Sequence, residues 1–450
     1  MTFPRVHTLV HALVIAGLAT LGAAAVTSAS ADETCNSPYT ANLIKGQEDF
    51  VHVWTLGIKG MGDGNDKLVT IDANPKSKHY GKVIDKISLP GRGEAHHMGF
   101  SDDRRYLWGG RLDDNKIFVF DLINPAKPKL IKTIANIESK TGFVGPHTFY
   151  AMPGRMLVQA LSNNKDHGGQ TGLVMFNNKG DIVDSYPMPT TEIGGVKGDG
   201  YGYDIAIDPG KNVMLTSSFT GWNNYMMDLG KMVKDPDAMK QFGNTMAVWD
   251  VKSMKPTQVL SVPGAPLEIR WSLNPNDHWA VTATALTSKI WLIKQDASGQ
   301  WVAKDVADIG DPSKVPLPVD ISITADGKGL WVNTFLDGKT RYFDMTDPEH
   351  PKETYSITTG PQVNMVSQSW DGKRVYLTSS LLANWDKKGK DNEQVLRAFD
   401  WDGQKLTEKF EVDFAALKLG RAHHMKFSAR PAGKTLADLG NLSVAQAPQQ

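Results

Sequence analysis

The sequence predicts an all-β fold, a seven-bladed β-propeller closed by a C-terminal strand and interrupted by one short helical insertion. Three observations predict it. An apolar, alternating strand ending in a polar residue, most often Asp or Asn, recurs seven times at intervals of roughly 45 to 75 residues. Period-2 alternation with turn residues between the runs prevails, with almost no helical periodicity. Two nearly identical strings, Glu94-Ala95-His96-His97-Met98-Gly99-Phe100-Ser101 and Arg421-Ala422-His423-His424-Met425-Lys426-Phe427-Ser428, stand at opposite ends of the chain. A closed ring of repeats would bring them together.

The first 31 residues read as a secretory leader rather than as part of the propeller. Arg5 makes the amino end basic, Leu9 to Val26 is apolar, and Ala29-Ser30-Ala31 is a small-x-small cleavage site. The mature protein is therefore expected in the periplasm, free of the membrane. Residues 32–434 are assigned to the propeller and 435–450 to a flexible tail. Positive and negative side chains balance at 49 each, which leaves no basic stripe for nucleic acid. The single cysteine, Cys35, follows the cleavage site, so no intrachain disulfide can form. A homo-oligomer is compatible with the sequence.

The recurring strands are Val69-Thr70-Ile71-Asp72, Phe118-Val119-Phe120-Asp121, Val174-Met175-Phe176-Asn177, Val248-Trp249-Asp250, Trp291-Leu292-Ile293-Lys294, Tyr342-Phe343-Asp344 and Ala398-Phe399-Asp400. A second repeated element precedes most of them, a strand followed by a tight turn such as Ala325-Asp326-Gly327-Lys328 or Trp370-Asp371-Gly372-Lys373. Similar turns are read at Pro153-Gly154-Arg155 and Pro209-Gly210-Lys211. The copy around His424 has no hairpin after it and would complete the blade begun by the strands near Phe50 to Ile71, which protects the sheet edges. Residues 222–244 form the insertion, with Met226, Met227, Leu229, Met232 and Met239 on a common face expected to pack on the ring.

Aligning the turns makes Ser101, Ala151, Asp208, Ser272, Thr324, Ser369 and Ser428 equivalent, and the residues four positions earlier are His97, His147, Asp204, Glu268, Asp320, Met365 and His424. Innermost strands line a propeller's channel, so these positions should form a ring. Imidazoles suit copper without burying charge. The expected metal residues are His97, His147 and His424, with His96 and His423 as the other members of their pairs, facing the opposite side under regular pairing although a bulge could exchange the roles within either pair, Glu268 as a carboxylate donor and Met365 as a candidate axial thioether. Asp204 and Asp320 are the candidate catalytic acids or bases. Calcium on Asp204, Glu268 and Asp320 is the alternative cation, and it would suit a lactonase-like propeller hydrolase. A non-enzymatic secreted scaffold is the third class.

Glu94-Ala95-His96-His97, Gly145-Pro146-His147-Thr148, Gly202-Tyr203-Asp204, Glu268-Ile269-Arg270, Asp347-Pro348-Glu349-His350-Pro351-Lys352 and the run from Asp371 to Lys387 resemble the selenium-binding protein family, from about Tyr39 to Phe427. Bacterial secreted members of that family include methanethiol oxidases. The resemblance implies copper and a small thiol substrate, with methanethiol, O2 and water converted to formaldehyde, hydrogen sulfide and hydrogen peroxide. Members named for selenium binding carry a cysteine where this chain has Gly81, and cysteines of animal members are replaced near Asp102 and Arg104. Selenium carriage through a thiol is therefore not expected here.

Overall fold

The computed structural model describes residues 37–44, 46–274, 276–386 and 394–430. The proposed leader, Cys35 and the proposed tail at 435–450 lie outside the described residues. Seven four-stranded antiparallel sheets follow one another along the chain. In blade 1 the innermost strand is Arg421–Ser428, followed outward by Phe50–Leu56, Lys67–Asp72 and Val83–Ser88. The pairing sets Phe50 against Ser428 and Val53 against Met425, so the last strand closes the ring as expected. Arg430 then bonds Asp49 at 2.5 Å across the closure.

The innermost strands of blades 2 to 7 are Ala95–Phe100, Phe143–Met152, Ile205–Asp208, Pro266–Trp271, Pro318–Ile323 and Val366–Gln368. The seven strands recognised from their apolar alternation are the third from the axis in every blade, from Lys67–Asp72 to Val395–Trp401. Their side chains face both neighbouring sheets, which is why the alternation is most visible there. Of the turns, Gly154, Gly327 and Gly372 are left-handed as expected, but in blade 4 that role falls to Asn212 (φ 55) rather than Gly210.

Seven apolar clusters fill the spaces between adjacent blades. Between blades 1 and 2, for example, Trp54 meets Phe118 and Phe120 with ring centroids 6.1 and 5.7 Å apart, and its Nε1 donates to the Gly110 carbonyl at 2.8 Å. Each fully buried large apolar side chain contributes about 1.5–3 kcal/mol, so every blade is held mainly by its two neighbours. Ring closure is thus a packing requirement as well as a hydrogen-bonding one.

An eighth cluster caps one end of the ring. It gathers Leu112, Leu161, Phe219, Ala285, Phe335 and Leu381, which lie at or just beyond the ends of second strands, together with Leu267 and Val319 from innermost strands. The insertion lies on it as three short helices, Trp222–Met226, Leu229–Met232 and Pro236–Met239. Leu229 and Met232 are buried in the cap and Met227 and Met239 pack on its edge, but Met226 is 41% exposed. Trp222 and Tyr225 are the main anchors instead of the methionines. Trp222 sits over Gly145, whose φ is 71 and where a Cβ would lie 2.6 Å from the indole.

The feature that builds the site is a recurring β-bulge near the start of the innermost strands. Ala95 to Met98 oppose only Arg111 to Gly109, Pro146 to Phe149 oppose Ala160 to Val158, Pro266 to Ile269 oppose Thr284 to Thr282, and Ala422 to Met425 oppose Thr55 to Val53. A bulge sets two residues against one and re-aims their side chains. The extra residues fall at His96-His97, His147-Thr148, Leu267-Glu268 and His423-His424.

Candidate metal centre

The bulges bring five imidazoles together at the capped end of the channel. Ring centroids are 4.0 Å apart for His96 and His423, 4.0 Å for His97 and His147, 4.6 Å for His97 and His424, and 4.8 Å for His96 with both His97 and His147. His96 and His423 therefore join the cluster rather than facing away. His96, His97 and His423 each place one ring nitrogen within 4.8 Å of the others. Three nitrogens spread evenly around one ion at about 2.0–2.1 Å each are about 3.5 Å apart, so this trio needs to contract by at most about 1.3 Å to share an ion.

Hydrogen bonds fix the tautomers of two rings. His147 Nδ1 lies 3.0 Å from the Tyr203 carbonyl, and His423 Nδ1 lies 2.6 Å from the Ser380 carbonyl. A carbonyl only accepts, so both Nδ1 atoms carry the proton and both Nε2 atoms keep a lone pair. The His147 and His423 Nε2 atoms, His96 Nδ1 and both nitrogens of His424 are buried and have no hydrogen-bond partner among the described residues. Buried polar atoms are nearly always satisfied, and a metal ion would satisfy these. The Ser380 turn is itself held by Asp386, whose carboxylate accepts from Ser380 Oγ at 2.6 Å and from Leu381 N at 3.0 Å. Asn364 Nδ2 also donates to the Ser380 carbonyl.

All five rings are at most 1% exposed. Burial drives every one of them below the ordinary histidine pKa, His147 to about 3 and His423 to about 4; neighbouring imidazoles push His96, His97, His147 and His424 the same way, as Lys426 does His424, while the Tyr203 and Ser380 carbonyls oppose the shift at His147 and His423. Neutral imidazole is the form that binds metal. The same shift has a stability consequence. Unfolded histidine protonates below about 6.5 while the buried rings do not, so native stability is present above that pH and is lost as pH falls toward 4, by about 1.4 kcal/mol per pH unit per ring. Urea unfolding of metal-free protein should therefore show stability dropping between pH 6.5 and 4.5, and His147→Ala should flatten that slope by about 1.4 kcal/mol per unit.

Opposite the imidazoles lies a cluster the sequence reading only half anticipated. Asp204, Glu268 and Asp320 converge on Arg270, whose guanidinium lies 3.1 Å from Asp204 Oδ2, 3.2 Å from Glu268 Oε2 and 3.2 Å from Asp320 Oδ1. Asp204 also accepts from Ile269 N at 2.8 Å, and Asp320 from Val366 N at 2.7 Å. Burial first, and the Asp204 charge second, push the Glu268 carboxyl well above the usual carboxylate range. Glu268 belongs to this cluster and not to the trio of imidazoles. Met365 is in the apolar core between blades 7 and 1, and the polar residue beside the histidines is Asn364, whose Nδ2 is 3.1 Å from His423 Nδ1. Met365 is thus a packing residue, not an axial donor.

Tyr203 was also missed. Its ring lies 4.2 Å from that of His147, it is 2% exposed, and burial raises its phenol well above 10. Its place beside Asp204 in the register was the available signal. Glu94, two residues before His96 and itself buried, takes a left-handed backbone (φ 59), accepts from Ala383 N at 3.1 Å, and is pushed up to about 8 by burial and then by Asp113.

Fold and site together define a class, a closed propeller holding a buried cluster of neutral imidazoles under an apolar cap. The chain belongs to the 56kDa selenium binding protein (SBP56) family, which it matches over residues 29–436. It is 69% identical over 420 residues to a protein of Hyphomicrobium sp named methanethiol oxidase, covering 93% of this chain and 96% of that one. It is 57% identical over 410 residues to a protein of Ruegeria pomeroyi of the same name, covering 89% and 94%. A hypothetical selenium-binding protein from Sulfolobus tokodaii has a similar fold, with a TM-score of 0.74 at 24% identity over 88% of this chain and 97% of that one. Among the described residues no helix is long and apolar enough to cross a membrane.

Gly81, the position of the absent cysteine, has a φ of 73, and a Cβ there would lie 2.6 Å from Phe410 Cγ. Gly81→Cys is expected to cost about 1–3 kcal/mol of stability, read as a lower thermal midpoint by circular dichroism. A midpoint equal to wild type would show that Phe410 moves aside freely.

Proposed function

We propose that the chain is a copper-dependent methanethiol oxidase. Relatives at 57–69% identity place it among the oxidoreductases, and the copper rests on one observation, the buried ring nitrogens of His96, His147, His423 and His424 that lack any partner among the described residues. The donors fit the metal: neutral imidazoles, with His97 completing the group, suit copper. Bound copper supplies a position for the thiol sulfur and a redox partner for O2. In the overall reaction one methanethiol, one dioxygen and one water give formaldehyde, hydrogen sulfide and hydrogen peroxide, with two electrons leaving the methyl carbon and two reaching dioxygen.

The chain's own residues do the rest. The apolar cap excludes bulk water and suits a small apolar thiol. Asp320 and Asp204, held by Arg270 and by backbone amides, are the bases offered for the proton that leaves the methyl carbon, and Glu268, favoured in its protonated form, holds a proton beside them that it can donate. The calcium alternative requires these three carboxylates as an oxygen shell, but Arg270 is the cation among them. The basic start, apolar run and small-x-small site read in residues 1–31 support a periplasmic location for the mature enzyme.

The test is metal analysis of the purified mature protein, paired with a methanethiol assay that follows peroxide and sulfide. Stoichiometric copper, with turnover lost on chelation, is the expected result. Calcium alone, or no metal and no peroxide, would overturn the reading.

A further inference from the structure

No ring of the imidazole cluster is more than 1% exposed, so neither a thiol nor O2 reaches it without movement. The shorter way in is through the cap. Tyr203, Leu267 and Val319, each one residue before a ring position, already belong to the cap, whereas on the other side the innermost strands continue four residues beyond His97 and His424 with buried Lys426 and Gln368 along them.

The cap is not uniform in strength. The blade-4 insertion reaches across to the 381–386 loop of blade 7 and is tied to it by three hydrogen bonds, all at 3.3 Å: Asn384 Nδ2 to the carbonyls of Tyr225 and Met226, and Trp385 Nε1 to the carbonyl of Asn224. That is the long end of the useful range. The helices being tied have only four or five residues, too few to be stable alone. Trp385, 2% exposed, meets Phe219 edge-on at 5.7 Å, Phe219 meets Tyr203 at 5.3 Å, and Tyr203 meets His147 at 4.2 Å.

We infer that Asn384 and Trp385 latch a gate over the imidazole cluster and that the Trp385 indole restricts the site to the smallest thiols. The restriction to small thiols rests on the oxidase reading above, but the gate does not. In the closed state the Trp385–Phe219–Tyr203 contacts fill the path, and opening breaks the three long hydrogen bonds and shifts the buried Trp385 indole off Phe219. A one-carbon thiol passes with a partial opening; a longer chain must displace the indole.

Two variants and two readouts test this. The first readout needs neither copper nor turnover: diethyl pyrocarbonate modification of His96, His97, His147, His423 and His424 in metal-free protein, followed by peptide mass spectrometry. Wild type should react slowly at these rings, and both Asn384→Ala and Trp385→Ala about tenfold faster. The second is kcat/KM for 1-propanethiol relative to methanethiol, which Trp385→Ala should raise by about tenfold or more, within the discrimination that one or two methylenes allow. Should Trp385→Ala fail to fold, Asn384→Ala decides through the modification rate. Rates equal to wild type in the folded variants would overturn the gate, and an unchanged thiol ratio in Trp385→Ala would overturn the size restriction. Absence of any thiol turnover in wild type would instead sink the oxidase reading, leaving the modification rates to judge the gate alone.

Discussion

Replacing His147 by alanine is expected to remove copper and activity together, lowering kcat/KM for methanethiol by more than about 100-fold, with the propeller still folded. His147 sits in the ten-residue strand Phe143–Met152, whose backbone pairing does not involve the imidazole. Its Nδ1 proton is committed to the Tyr203 carbonyl, which turns Nε2 to where His97 and His96 converge. Alanine removes that donor and leaves the Tyr203 carbonyl to Thr148, which already bonds it at 2.9 Å. Copper content by elemental analysis, together with turnover and a circular dichroism spectrum, reads the result. Full copper with full activity would remove His147 from the site. Loss of activity with copper retained would make it a residue that positions substrate instead.

How much of this was legible in the sequence depends on which pairs of residues had to meet. The seven third strands could be counted because each is packed on both faces and ends at a turn, and the closing strand could be recognised from Met425-Lys426-Phe427-Ser428 standing where no hairpin follows. The shared level of His97, His147, Asp204, Glu268, Asp320 and His424 followed from counting back four residues from the aligned turns. The joint inward placement of His96 with His97, and of His423 with His424, did not follow. It depends on bulges set by the partner strands Tyr106–Arg111 and Phe50–Leu56, and strict alternation sends one member of each pair away. Met365 was misassigned for a related reason, since blade 7 begins its innermost strand late, at Val366, and Asn364 takes the place beside His423. Arg270 was within reach. It stands two residues after Glu268, on the same face of an alternating strand, and a buried trio of acids on adjacent strands implies a cation.

That cation carries the second large expected effect. Arg270→Met should destabilise the protein by about 3–5 kcal/mol near pH 8, the usual cost of removing one partner from a buried ionic cluster. The guanidinium side chain is 5% exposed and serves three carboxylates at once, so little solvent can replace it. The deficit should depend on pH with a definite sign. Burial already holds the Glu268 carboxyl above its ordinary range and Arg270 is what pulls it down, so removing Arg270 raises it further. A carboxyl raised in this way favours the native state below its unfolded pKa and loses that contribution as pH rises, because the unfolded chain ionises first. The variant should accordingly approach wild type at pH 5 and fall furthest behind at pH 8 in parallel urea titrations. Arg270→Lys should lie between them, since one ammonium cannot reach three carboxylates with a fork of planar donors. A deficit that is equal at both pH values would show that Arg270 acts by packing rather than by charge, and the proton-handling role given to Asp204, Glu268 and Asp320 would lose its physical basis.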